Sequence, residues 1–300
     1  WYAAFAIAFA VGALMGYTIG FLVARIGIPS FVVTLASFLA FQGLLLLLAG
    51  EGGTIRIDDP TVLAIQNNNM KPIISWGFFI VCSVLYVLSG LNRINSRRKL
   101  GLKTELKKLW AIKTGGLLGV SGLAVWALCV ERSNNPKLIS LKGIPDVVPL
   151  ILGLLVIGTF VLGRTAYGRH LYAVGGNAEA ARRAGINVKA IRTSVFVICS
   201  ALSAIAGLLF ASRQNSISPT TGGSSTLLYA VGAAVIGGTS LFGGKGKLRD
   251  AILGGLVVAV IDNGMGLLGY AAGIKFIVTG LVLLVSAGVD ALSRKGASTN

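Results

Sequence analysis

The chain has 300 residues, 54% of them hydrophobic and 12% charged, with a mean hydropathy of +0.81. Soluble domains carry about 25% charged residues, so this balance excludes an ordinary water-soluble fold. The net charge of +17 sits in loops between apolar runs, which argues against a nucleic-acid-binding face and suits charge that sets membrane topology.

Continuous apolar runs of about 20 residues, the length that crosses a bilayer core as a helix, predict an all-α fold, a polytopic transmembrane helical bundle. A β-barrel would instead show short alternating segments. Nine spans are expected, near residues 1–25, 28–50, 72–91, 114–130, 147–163, 192–212, 227–243, 251–269 and 273–292. They read as one transmembrane domain over residues 1–300, with a basic loop at 92–113 and a docking region at 164–192. The chain opens on Trp1, without methionine or a basic leader, so further spans are expected upstream.

In the first span Gly12, Gly16 and Gly20 fall four apart on one face. That lets a neighbouring helix come close where lipid gives no hydrophobic drive to association. Pro29 opens the second span, where its missing N–H costs nothing. Thr34, Ser37 and Gln42 within that span either line a polar pathway or bond across a helix interface, and the residues alone leave both open. The stretch "NRINSRRKLGLKTELKKLWAIK" (92–113) is the most basic loop. It is read either as an amphipathic helix on anionic lipid or as a plain topogenic cluster.

Loop charge gives an orientation. Arg25, residues 92–113, 164–192 and 243–250, and Arg294 with Lys295 hold twenty of the 27 basic residues. The other side holds Arg56, Lys71, Arg132, Lys137, Lys142, Arg213 and Lys275. The positive-inside rule puts the first set in the cytoplasm, with Trp1 outside and Asn300 inside. The outer loops 51–71 and 131–146 are polar and near neutral, with Glu51, Asp58, Asp59, Glu131 and Asp146.

Little of the chain suggests bond-breaking chemistry. Cys82, Cys129 and Cys199 lie in apolar spans without ligand spacing, as small core hydrophobes do. His170 is the single histidine, so neither a metal nor any other cofactor is expected. "GGTSLFGGKGK" (237–247) resembles a phosphate loop but fails its spacing: Thr239 and Leu241 stand where the first glycine belongs, and no Ser or Thr follows either lysine. A tight turn at Gly243, Gly244 and Gly246 is the expectation. Asp262, beside Asn263 near the middle of its span, is costly at that depth unless it faces protein or water. It belongs either to a solute pathway or to a helix–helix contact.

The stretch "YGRHLYAVGGNAEAARRAGINVKAIR" (167–192) is the polar exception. Asn177 suits an N-cap, Ala178–Ala184 favours helix, Glu179 and Arg183 form a favourable i, i+4 pair, and Gly185 fits the left-handed position after the helix. A helix of about seven residues is marginal alone and must dock on something. Ala180, Ala181 and Ala184 allow close approach, ringed by Arg182, Arg183 and Lys189, as on a knob for a partner's groove. The alternative is a helix resting on the protein's own spans.

Together with "GAAVIGGTSLFGGKGKLRDAILGGLVVAVIDNGMGLLG" (232–269) and "PSFVVTLASFLAFQGL" (29–44), this stretch resembles the permease subunits of bacterial ABC importers for monosaccharides. The likeness is to the ribose/xylose branch, and the spans around 114–163 are most similar to xylose-type permeases. The resemblance implies a multi-pass inner-membrane homodimer around one pathway, with cytoplasmic ATPase subunits below and an extracytoplasmic sugar-binding protein above. It implies that Gly175, Gly176, Asn177, Ala181, Gly185 and Ile186 belong to a helix that couples to the ATPase, and that about three spans lie upstream. An ion- or proton-coupled transporter working alone is the rival reading, with Asp262 its one clear candidate; an ABC permease for another small polar solute is a second, and a membrane-embedded enzyme a more distant third.

Overall fold

A computed structural model of the protein describes residues 2–50, 53–99, 107–132, 141–219 and 221–298. In chain order these form α1 (Tyr2–Phe21), a π-helical turn (Leu22–Ile26), α2 (Ser30–Ala49), β1 (Ile55–Arg56), α3 (Pro60–Asn67), α4 (Pro72–Lys99), α5 (Lys107–Cys129) and α6 (Val147–Arg164). Then come α7 (Ala166–Gly176), α8 (Ala178–Arg183), α9 (Val188–Gln214), β2 (Ser216–Ile217), α10 (Ser224–Ile236), α11 (Leu248–Leu267) and α12 (Ala272–Ser298). Among the described residues seven helices are long and apolar enough to cross a membrane, and Thr226–Ile236 and Ala272–Gly288 are shorter apolar helices. The nine expected spans map onto these nine.

One boundary is corrected. The span expected at 227–243 ends at Ile236, because Gly237 closes the helix on Ala233 O and Gly238 turns left-handed at φ 105°. The apolar letters of 239–243 belong to a turn. The basic run at 92–113 is also divided. Its first residues continue α4 to Lys99 and its last begin α5 at Lys107, while 100–106 lie outside the described residues, as do Trp1, Glu51, Lys137 and Asn300.

The chain forms two compact units, Trp1–Asp59 with Ile151–Asn300, and Pro60–Leu150. The first is built on α1 against α9. Gly12, Gly16 and Gly20 are the buried residues of α1. A Cβ on Gly12 would lie 2.9 Å from Ser200 O, one on Gly16 2.7 Å from Val197 Cα, and one on Gly20 3.0 Å from Thr193 Cα. The two backbones therefore touch along the stripe that the sequence marks, and Thr193 Oγ1 donates to Gly20 O at 3.4 Å. α10 and α11 make a second close pair, where a Cβ on Gly254 would come 2.7 Å from Ala233 C.

In the second unit α4 packs on α5. Gly90 lies against the Trp110 ring, with 2.7 Å between a notional Cβ and Cζ2. At the other end of the pair Met70 N donates to Ile144 O at 2.8 Å, and Asp146 N to Asn68 O at 3.2 Å. Ser75, wholly buried, donates to Met70 O and accepts from Ile144 N at 3.0 Å, so the buried hydroxyl is satisfied in both roles.

Segments that the charge count places on one side meet within each unit. β1 pairs antiparallel with β2, Ile55 opposite Ile217, so the segment of Arg56 joins the one that follows Arg213 at the end of α9. Asn69 bridges to Pro145, joining the loops of Lys71 and Lys142.

Gly16→Ala forces α1 off α9 and is expected to lower stability by about 1–3 kcal/mol, the cost of overpacking. Gly43→Ala, where a Cβ meets nothing within 4 Å, leaves it unchanged. Thermal unfolding of the two variants in detergent checks the pair.

Candidate functional site

Residues 164–192 form two short helices ahead of α9. Thr165 Oγ1 accepts from Gly168 N at 3.2 Å and starts α7. One face of α7 is buried through Gly168 and Val174, and Arg169 and His170 are exposed. Tyr167 Oη meets Ser194 Oγ at 2.9 Å, which pins α7 to α9. Tyr172 Oη donates to Gly246 O at 2.6 Å, which pins it to the turn after α10.

Asn177 then breaks the helix and starts the next. Its Oδ1 accepts from the N–H groups of Glu179 and Ala180, both at 3.0 Å, so two otherwise orphaned donors of α8 are satisfied. The far end closes as a Schellman motif. Ile186 N donates to Ala181 O at 3.1 Å and Gly185 N to Arg182 O at 3.0 Å, with Gly185 at φ 81°, a conformation free of Cβ clash only for glycine. Six residues with both ends capped thus hold a helix that propensity alone would not.

Glu179 takes both arginines, Arg182 at 2.7 Å and Arg183 at 3.4 Å. The hydrogen bond from Arg182, then its charge, with a further bond from Arg183, holds the Glu179 carboxyl below its ordinary value. A lowered carboxylate value means that the ion pairs are fully present above the ordinary carboxylate range and are lost as acid carries the pH down through the lowered one.

Exposure divides the helix in a way that the sequence does not foretell. Glu179, Ala180, Arg182, Arg183, Ala184 and Gly185 are exposed, and Ile186 is half-buried. Ala181 is 4% exposed, which corrects its expected place on the outer surface: it seats α8 on the protein's own body. Gly175 and Gly176 pack backbone to backbone with the turn after α10. A Cβ on Gly175 would lie 2.9 Å from Gly244 N, and one on Gly244 2.9 Å from Gly176 Cα.

The candidate pathway residues are dispersed. Thr34 spends its hydroxyl on its own helix, donating to Ser30 O at 2.9 Å, and Ser37 is half-buried. Gln42 lines an open groove of about 220 Å³ with Phe38, Phe41, Leu45, Thr221 and Gly222. Asp262 lies in the second half of α11 rather than at its middle, its carboxylate 3.9 Å from Lys275 Nζ, and Asn263 is exposed. Among the described residues no group of three His, Cys, Asp or Glu could hold a metal.

Apolar helices long enough to cross a membrane, joined by a polar, capped and exposed helix pair, suit a membrane permease. Residues 1–287 match the family described as branched-chain amino acid transport system / permease component, and the chain belongs to that family. It is 37% identical over 289 residues to the xylose transport system permease protein XylH of Escherichia coli K12, covering 95% of this chain and 70% of that protein. It is 34% identical over 286 residues to the XylH of Haemophilus influenzae, covering 95% and 73%. Against the ribose import permease protein RbsC of E. coli K12 it is 38% identical over 149 residues, 49% of this chain and 46% of that one. No solved structure matches it. Permeases of this family work with ATPase and binding-protein partners in the inner membrane.

Sequence reasoning overlooked α7, Asn187 and the partner of Tyr172. Asn187 was open to discovery, since its Oδ1 caps α9 by accepting from Ala190 N at 3.0 Å, in the same way as Asn177. Tyr172 bonds a residue 74 positions away, and no local pattern marks such a contact.

Asn177→Ala removes both capped N–H bonds, and a lost cap costs about 1 kcal/mol. Amide exchange across 178–186 is expected to quicken about fivefold while α1 and α9 keep their protection.

Proposed function

We propose that the chain is the permease subunit of an ATP-driven importer for a monosaccharide, xylose or a similar pentose. Two copies form one pathway in the bacterial cytoplasmic membrane, cytoplasmic ATPase subunits grip α8, and an extracytoplasmic protein delivers the sugar. The observation that carries the reading is α8 itself: a six-residue helix, capped at both ends, with its charged face left exposed. The xylose and ribose permeases among its relatives support the substrate class. The charge count supports placing α8 and residues 164–192 in the cytoplasm. Basic residues at the ends of α4 and α5 suit contact with anionic lipid.

The groove beside Gln42 supports a sugar path. Phenyl rings offer flat apolar faces to the C–H side of a sugar ring, and an amide with a nearby hydroxyl offers both donor and acceptor. Gln42, Thr34, Ser37, Asp262 and Asn263 are the pathway candidates within this reading. The rival, a proton-coupled carrier, would rest on Asp262, and that acid already faces Lys275.

Three experiments test the proposal. Ala180→Trp on the exposed face abolishes co-purification of the ATPase with no change in thermal unfolding, whereas Ala181→Trp on the seated face destabilises the fold; full ATPase stoichiometry with Ala180→Trp removes the docking reading. In ATP-depleted vesicles given a pH gradient, no uptake is expected, and Asp262→Asn retains ATP-driven uptake. Gln42→Ala raises the half-saturating sugar concentration about fivefold, the worth of one hydrogen bond of about 1 kcal/mol.

A further inference from the structure

The turn between α10 and α11 is more than a connection. Its ends are tied to both helices: Thr239 N donates to Ala234 O at 2.9 Å, and Lys247 N to Asp250 Oδ2 at 2.9 Å. Within it Ser240 N donates to Lys245 O at 3.1 Å and Gly243 N to Ser240 O at 3.2 Å. Gly243, Gly244 and Gly246 all have positive φ, so the path is closed to other residues without strain. At its base the α10–α11 contact at Gly254 leaves no room for a side chain. Helix, turn and helix therefore form one stiff hairpin.

Against this hairpin rests the end of α7, one residue ahead of the cap of α8. The contact is backbone on backbone at Gly175 and Gly176, with Tyr172 Oη on Gly246 O at 2.6 Å. A joint made of backbone contacts has no side chain to rotate away, so a displacement passes across it instead of being absorbed. Tyr172 is part of neither the exposed face of α8 nor the candidate pathway. Its hydroxyl bonds the Gly246 carbonyl of the turn.

We propose that Tyr172 is a positioning residue, and that the Tyr172–Gly246 and Gly175–Gly244 contacts form the joint through which movement of α8 drives the α10–α11 hairpin and, along α11, the Asp262 region. This rests on the reading of α8 as the element gripped by the ATPase. The joint does not take part in gripping; it makes the grip productive.

Tyr172→Phe removes the hydroxyl and keeps the ring. The variant is reconstituted in liposomes with its ATPase and sugar-binding protein, and uptake is measured against ATP hydrolysed. Sugar taken up per ATP is expected to fall at least about fivefold, the lower range of coupling between sites, with ATPase stoichiometry and thermal unfolding as in the wild type. Gly244→Ala, which presses on Gly176 and forces a side chain into a positive φ, is expected to lower uptake per ATP as well, with a lowered melting temperature. Unchanged uptake per ATP in Tyr172→Phe overturns the joint. So does loss of folded protein or of bound ATPase in that variant, since the contact would then serve folding or docking alone. If the wild type itself holds no ATPase, it is the reading of α8 that fails, an outcome visible before any variant is compared.

Discussion

Close approach of helix backbones is the constraint on which the first unit depends. In lipid, apolar side chains gain nothing by leaving the solvent, so helices associate through packing and polar contacts at short range. Gly12, Gly16 and Gly20 give α1 a bare face, and α9 lies on it from Thr193 to Ala204. The same device recurs where α10 meets α11 at Gly254, and where α7 meets the turn at Gly175 and Gly244. Remote segments become neighbours in each case because nothing stands between their main chains.

This packing explains how so small an element as α8 is held in place. Its internal resources are two caps and one acid shared between two arginines. Exposed ion pairs of this kind contribute little to stability. What fixes the helix is its frame: α7 before it, anchored by Tyr167 and Tyr172, and α9 behind it, started by Asn187 and clamped on α1. Ala181 is the buried residue of α8, and the charged face is exposed.

The polar residues in the spans divide by partner. Thr34, Thr193 and Ser194 turn their hydroxyls to backbone carbonyls, the common fate of such groups in helices within lipid. Gln42 instead lines an open groove with Phe38 and Phe41. Asp262 has Lys275 across the α11–α12 connection, so an acid that looks isolated in its helix carries an ionic partner from the next.

By itself the sequence determined the helical class, the positions of most apolar spans, the glycine stripe of α1 and both caps of α8. Each follows from near neighbours or from simple counts: hydropathy over a span, residues four apart, a side chain two or three positions from the N–H it receives. Tertiary structure alone decided that Ala181 faces inward, that the stripe meets α9, and that the turn marked by Gly243, Gly244 and Gly246 grips α7. Those facts rest on contacts between residues far apart in the chain, where the fit of one backbone against another, and not the pattern of either, sets the outcome.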